Sequence, residues 1–161
     1  RFIQDVPHEL WSRIHGVNVY GTFVCMKECI PRMIGQGHGN IVNISSLLAQ
    51  RGCARAGDAA YGVSKSAVEA LTEYAAAECG GTGVNVNAAY PGAKVDTGFF
   101  DNLEQSEREK LERPTILNEL VYLLCCLKPD ELTGGSFCAL GWKSDPALQK
   151  VRAAHRIREP Q

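Results

Sequence analysis

Apolar positions along this chain recur first with a helical period and then in short β-branched runs, and the two patterns alternate. From Pro7 to about Met33, residues Leu10, Ile14, Val17, Phe23, Val24, Met26 and Ile30 repeat at helical spacing and predict a first helix. Gly16 and Gly21 interrupt it and predict a bend, and "GQGHG" (35–39) ends it. "NIVNISS" (40–46) then reads as a buried strand. After the loop "LLAQRGCARAGDAA", an Ala-rich helix is expected from about Tyr61 to Glu78, stopped by "CGGTG". "VNVNAAY" (84–90) is the next strand, closed by Pro91-Gly92. The polar stretch beyond it reads as a loop with a short charged helix near Glu104 to Leu111, whose run "EQSEREKLE" reads as a solvated face. "ILNELVYLLCCL" predicts a third apolar helix, followed by the turn "KPDELTGG" and a last strand, "SFCAL". Residues 145–161 are polar and basic and are expected to form a peripheral tail, leaving 1–144 as the domain proper.

Helix and strand alternate three times, and the strands are uniformly apolar and short. That pattern predicts an α/β fold with a parallel sheet covered on both faces. In open sheets of this kind ligands sit beyond the carboxyl ends of the strands. Ser45-Ser46 and Pro91-Gly92 both fall at such ends, and Tyr61 opens the helix between them.

Composition narrows the functional classes. At 161 residues, 45% hydrophobic and 22% charged, with a formal net charge of -1, the chain has no basic excess for nucleic acid. No apolar run approaches the roughly 18 residues of a membrane span, and "RFIQDVPHEL" lacks the order of a signal peptide. The seven cysteines form no C-x-x-C and the four histidines are scattered, so neither disulfide staples nor a zinc site is expected. Reduced, mostly buried thiols in a cytoplasmic protein are the expectation. "GQGHG" imitates a phosphate-binding turn, but it follows a helix and precedes a strand, the reverse of the order such a turn needs.

Within "AAYGVSKSAVEA", Tyr61 and Lys65 are one helical turn apart and share a face. Ionising a phenol of ordinary pKa (~10) at neutral pH costs roughly 4 kcal/mol. An ammonium at ~4 Å in an effective dielectric of ~20 returns about as much. The pair is therefore suited to general acid/base work on an alkoxide, with the Ser46 hydroxyl able to hold the same oxygen.

"GNIVNISS", "AAYGVSKSAVEALTEYAAAE", "VNVNAAYPG" and "LTGG", in this order and preceded by "LWSRIHGVNVYGTF", resemble the short-chain dehydrogenase/reductase family over nearly the whole chain to about Leu140. The resemblance implies a partial Rossmann-like doubly wound parallel sheet of about three strands with flanking helices. It also implies an oxidoreductase that exchanges hydride between NAD or NADP and a secondary alcohol or ketone. By the same resemblance Tyr61 matches the acid/base and Lys65 the lysine that also holds the nicotinamide ribose. Ser46 matches the substrate-positioning serine, and Asn18 the asparagine supporting a water chain behind the lysine. Pro91 and Gly92 match the turn under the nicotinamide, while Val95 and Thr97 match the pair that meets its carboxamide and the phosphates. Family members commonly pair through the helices matching 8–33 and 61–78, so a homo-oligomer is expected.

Three departures qualify the match. A complete member carries a Gly-rich strand-turn-helix for the pyrophosphate, which at ~30 residues per βαβ step would place roughly 90 residues ahead of Arg1. The 161 residues thus read as a C-terminal part, and the competing expectation is a truncated or non-catalytic homologue that cannot bind the dinucleotide alone. The loop between Ser46 and Tyr61 is about two residues longer than usual, and "PGAKVDT" carries one extra residue before Val95. Phe99 and Phe100, just beyond, are expected to line an apolar substrate pocket.

Overall fold

The computed structural model describes residues 1–155, with the side chains of Phe99 and His155 outside that description. Helices α1 (His8–His15) and α2 (Gly21–Gln36) are joined by a π-helical stretch, Gly16–Tyr20. The expected bend is thus a widened turn, which shifts the phase of everything that follows. Val17 and Phe23 consequently leave the buried stripe and stand 71% and 44% exposed, whereas Met26, Ile30 and Met33 face the core. α2 ends at Gly37, whose φ of 71° is the left-handed conformation of a helix stop.

Strands β1 (Gly39–Ile44), β2 (Val84–Tyr90) and β3 (Ser136–Cys138) form one parallel sheet in that order. Ile44 is in register with Ala89, and Tyr90 with Cys138. α2 and α3 (Ala59–Glu78) cover one face, packing Met26, Ala75 and Ala76 against Val84 and Val86 of β2. On the other face α5 (Asn118–Cys125) packs Leu120, Leu123 and Leu124 around Ala89 and Phe137. The result is the α/β sheet with helices on both sides that the alternation predicts. α5 is shorter than its apolar run because Pro114–Leu117 winds as a 3-10 turn, and the charged helix α4 is only Gln105–Arg108.

β2 explains its own "VNVN" pattern. Val84 and Val86 go to one core, while Asn85 and Asn87 point to the other face and are 1% exposed each. Their amides are hydrogen-bonded there through both nitrogen and oxygen. Asn85 Nδ2 donates to Asn40 Oδ1 and to the Lys128 carbonyl, both at 2.8 Å, and Asn87 Nδ2 donates to the Leu132 carbonyl at 2.7 Å. Gly135 N donates to Asn87 Oδ1 at 3.0 Å. Two buried side chains thereby pin the turn 128–135 and set where β3 begins.

Two expectations need correction. The segment from 145 is not peripheral along its described length: α6 (Pro146–His155) inserts Leu148 and Val151, 0% and 4% exposed, into the core around α5. Its cap is built by Asp145, whose Oδ1 accepts from Ala147 N at 2.9 Å and Leu148 N at 3.2 Å. Residues 156–161 of the expected tail lie outside the described residues. Replacing Leu148 with Ala should cost about 2–5 kcal/mol in urea unfolding; a loss below about 0.5 kcal/mol, the range of surface changes, would return α6 to the periphery. The thiols are not mostly buried either. Cys25, Cys29, Cys125 and Cys126 are exposed and only Cys79 is buried, because the first two occupy the outer face of α2 and the second two the end of α5.

Candidate active site

Parallel pairing brings the carboxyl ends of β1 and β2 side by side, and Ser45 N extends the ladder with a 2.8 Å bond to the Ala89 carbonyl. Beyond these ends lies a cavity of about 340 Å³. Ser46, Tyr61, Pro91, Val95, Thr97 and Phe100 all line it, with Leu47 and Leu48 adding apolar wall and Arg55 and Lys94 positive charge. Residues separated by more than fifty positions in the chain thus meet at one surface.

Each polar side chain has a definite setting. Ser46 caps the turn Leu47–Ala49, its Oγ accepting from Leu48 N at 3.2 Å. A hydroxyl that accepts one bond still has its proton to donate, so capping and substrate contact are compatible. The Lys65 ammonium stands 5.8 Å from the centroid of the Tyr61 ring and donates to the Ile44 carbonyl at 2.8 Å. The strand end that presents Ser46 therefore also anchors Lys65. Burial lowers the Lys65 pKa below that of an ordinary lysine. Tyr90, the other phenol at these strand ends, is pushed up, first by burial and then by the neighbouring Cys138 thiol, which keeps it neutral.

Lys65 carries a testable sign. A lysine whose pKa is lower in the folded state is held at a cost while protonated, so stability should rise with pH from its lowered value up to the ordinary lysine range. The unfolding free energies of the wild type and Lys65→Met should therefore differ by an amount that changes over that window in favour of the wild type. Parallel pH curves for the two would contradict a buried, charged Lys65.

Asn18, Lys65 and Gly92 do not line the cavity itself. Asn18 lies in the π-helical stretch and donates through Nδ2 to Ser64 Oγ at 3.0 Å. Gly92 has φ 80°, and a Cβ there would collide with Cys138 Sγ and meet Leu140 Cβ at 3.3 Å, so the turn closes tightly over the end of β3.

Sequence reasoning missed Arg108. Its guanidinium leaves the supposedly solvated helix face and donates through Nε to Asp96 Oδ1 at 2.9 Å, with Asp101 at 3.2 Å from Nη1. Together with the backbone bonds Asp96 N to the Glu112 carbonyl (2.8 Å) and Glu112 N to the Lys94 carbonyl (2.9 Å), this braces the segment carrying Val95 and Thr97. Nothing in the local pattern pairs Asp96 with a residue twelve positions away.

Comparison with known proteins shows the family of the chain. A family model described as Enoyl-(Acyl carrier protein) reductase matches residues 2–122. A short-chain type dehydrogenase/reductase of Picea abies is 35% identical over 135 residues, covering 80% of this chain and 49% of its own length. The chain belongs to the short-chain dehydrogenase/reductase family. An uncharacterised oxidoreductase of Staphylococcus epidermidis is 33% identical over 122 residues, 76% of this chain and 52% of that protein. Among solved structures, a proposed NAD(P)-dependent gluconate 5-dehydrogenase from Beutenbergia cavernae, with NADP bound at low occupancy, superposes with a TM-score of 0.75 at 28% identity, covering 90% of this chain and 62% of that one. The chain thus spans about half the length of these curated family members. Among the described residues no helix is long and apolar enough to cross a membrane.

Proposed function

We propose that this chain carries the catalytic centre of a short-chain oxidoreductase that exchanges hydride between NAD(P)(H) and a secondary alcohol or ketone. One observation carries the reading: Ser46, Tyr61, Pro91, Val95 and Thr97 line a single cavity, with the Lys65 ammonium against the Tyr61 ring. The residues present suit a nicotinamide riboside. Pro91 and Val95 offer apolar wall for the ring, the Lys65 ammonium, beside Tyr61 at the edge of the cavity, offers a donor for the ribose, and the tight Gly92 turn lets backbone approach closely. The NADP-bound structural neighbour lends the same cofactor class to the proposal.

When bound, the nicotinamide supplies or accepts the hydride. The chain's own residues handle the oxygen. In reduction, Tyr61 Oη gives its proton to the carbonyl oxygen as negative charge develops there. In oxidation it takes the proton back from the alcohol. The Ser46 hydroxyl donates to the same oxygen and fixes its position, and the Lys65 ammonium stands beside the Tyr61 ring. Asn18 supports this pair from behind. Leu47, Leu48 and Phe100 exclude water from the reacting carbon and favour an apolar substituent on it. As in other family members, a second copy of the chain is the expected partner through 8–33 and 61–78, where Val17, Tyr20 and Tyr74 stand more than half exposed.

A second reading has its own support. Because the chain spans about half the length of its curated relatives, these residues alone would hold a dinucleotide poorly and turn nothing over. Calorimetric titration with NAD(H) and NADP(H) separates the two: weak or absent binding to residues 1–161 is expected, and a micromolar Kd would discard the second reading. With dinucleotide bound, small ketones should oxidise NAD(P)H; a saturated complex inert to every ketone and secondary alcohol tried would discard the first.

A further inference from the structure

The helical turn that carries Tyr61 is weak by its own sequence. Its N-cap residue, Asp58, makes no side-chain cap, because Arg55 Nε holds its carboxylate at 2.6 Å. Gly62 follows Tyr61 directly, and glycine is a poor helix former. An uncapped first turn containing glycine frays when nothing outside the helix holds it. Yet the phenol it carries must stay within a fraction of an ångström of its place to move a proton efficiently.

Ser64 supplies the outside hold. It is fully buried, and its Oγ donates to the Tyr61 carbonyl at 2.7 Å while accepting from Asn18 Nδ2 at 3.0 Å. Asn18 is fixed in turn, since its backbone carbonyl accepts from Thr22 Oγ1 at 2.7 Å. The backbone of Tyr61 is thereby tied, through one hydroxyl, to the π-helical stretch between α1 and α2. On the other side of the same turn Lys65 is tied to the end of β1. Ser64 does not line the cavity, so it touches neither substrate nor cofactor.

We propose that Ser64 is a positioning residue, bridging Asn18 to the backbone of Tyr61 and so holding the phenol between Lys65 and the cavity. Its effect on rate rests on the hydride-transfer reading; its effect on the helix turn does not. In this view Asn18 acts at least in part through Ser64 by direct hydrogen bonds.

The test is a double-mutant cycle on the cofactor-loaded enzyme. Ser64→Ala should lower kcat by about 10- to 100-fold, the cost of small misplacements, with the KM for dinucleotide unchanged. Asn18→Ala should lower kcat by a similar factor, and the double variant should fall no further than the worse single one, because both break the same bridge. Effects that multiply would overturn the bridge, as would a Ser64→Ala enzyme with wild-type kcat. Ser64→Thr, which keeps the hydroxyl, should restore most of the rate. Amide hydrogen exchange on residues 1–161 supplies a readout free of catalysis: Ser64→Ala and Asn18→Ala, the latter at a less buried position, should each speed exchange in the first turn of α3. Unchanged exchange in both overturns the proposal even if no turnover is measurable. Faster exchange in a protein that transfers no hydride would keep the positioning role and defeat only the reading of function.

Discussion

Tyr61→Phe should lower kcat by about 10²- to 10⁴-fold, the usual contribution of a positioned acid or base, while the Kd for dinucleotide changes little. The substitution removes one oxygen and keeps the ring. The wall of the cavity survives, the Lys65 ammonium still stands over an aromatic face, and its bond to the Ile44 carbonyl is untouched. What disappears is the atom that, among the described residues, gives and takes the proton of the substrate oxygen in this account. Ser46 cannot replace it, because an alcohol hydroxyl holds its proton far too tightly to give and take it near neutral pH. Tyr90 cannot either, since burial and the Cys138 thiol hold its pKa above the ordinary phenol value. Steady-state kinetics in both directions, with dinucleotide affinity measured separately, check the split. A loss confined to KM would make Tyr61 a binding residue.

Gly92→Ala should destabilise the fold by about 2–5 kcal/mol, from two independent causes. At φ 80° a side chain costs about 1–2 kcal/mol in the left-handed region. The new methyl then overlaps Cys138 Sγ and crowds Leu140, and overpacking of this kind costs about 1–3 kcal/mol. The two causes separate experimentally. Adding Cys138→Ala removes the sulfur but leaves the backbone conformation, so the double variant should recover the steric part only. Urea unfolding of the two single variants and the double one gives the answer. Equal stability of Gly92→Ala and the wild type would mean that the turn does not close on β3. Because Pro91 and Ala93, on either side, line the cavity, a displaced turn should also weaken dinucleotide binding, unlike Tyr61→Phe.

Most of this site could be read from the chain because its parts are local patterns. Tyr61 and Lys65 share a face through helical periodicity, and Ser46 and Pro91-Gly92 mark strand ends through the break from β-branched to turn residues. Strand β2 matches its expected limits because "VNVNAAY" is bounded by glycine on one side and proline on the other. What escaped was decided by contacts distant in the chain. The burial of Leu148 needs the surface of α5 to exist first. Asp96 and Arg108 pair only after the segment between them folds back. Asn85 and Asn87 look like polar interruptions until the turn 128–135 supplies their partners. The π-helical stretch was visible only as two glycines, which predict a bend without saying that a widened turn would carry Asn18 to Ser64.

The central claim is that Tyr61 exchanges the proton that accompanies hydride transfer in this cavity. Its most direct test is to supply NADH or NADPH deuterated at the transferable position to the cofactor-binding form of the protein, with a ketone panel, and to examine the alcohol by mass spectrometry. The account predicts deuterium on the carbinol carbon with the wild type, and the same product formed about 10²- to 10⁴-fold more slowly with Tyr61→Phe. Deuterated alcohol formed at a wild-type rate by Tyr61→Phe would contradict it.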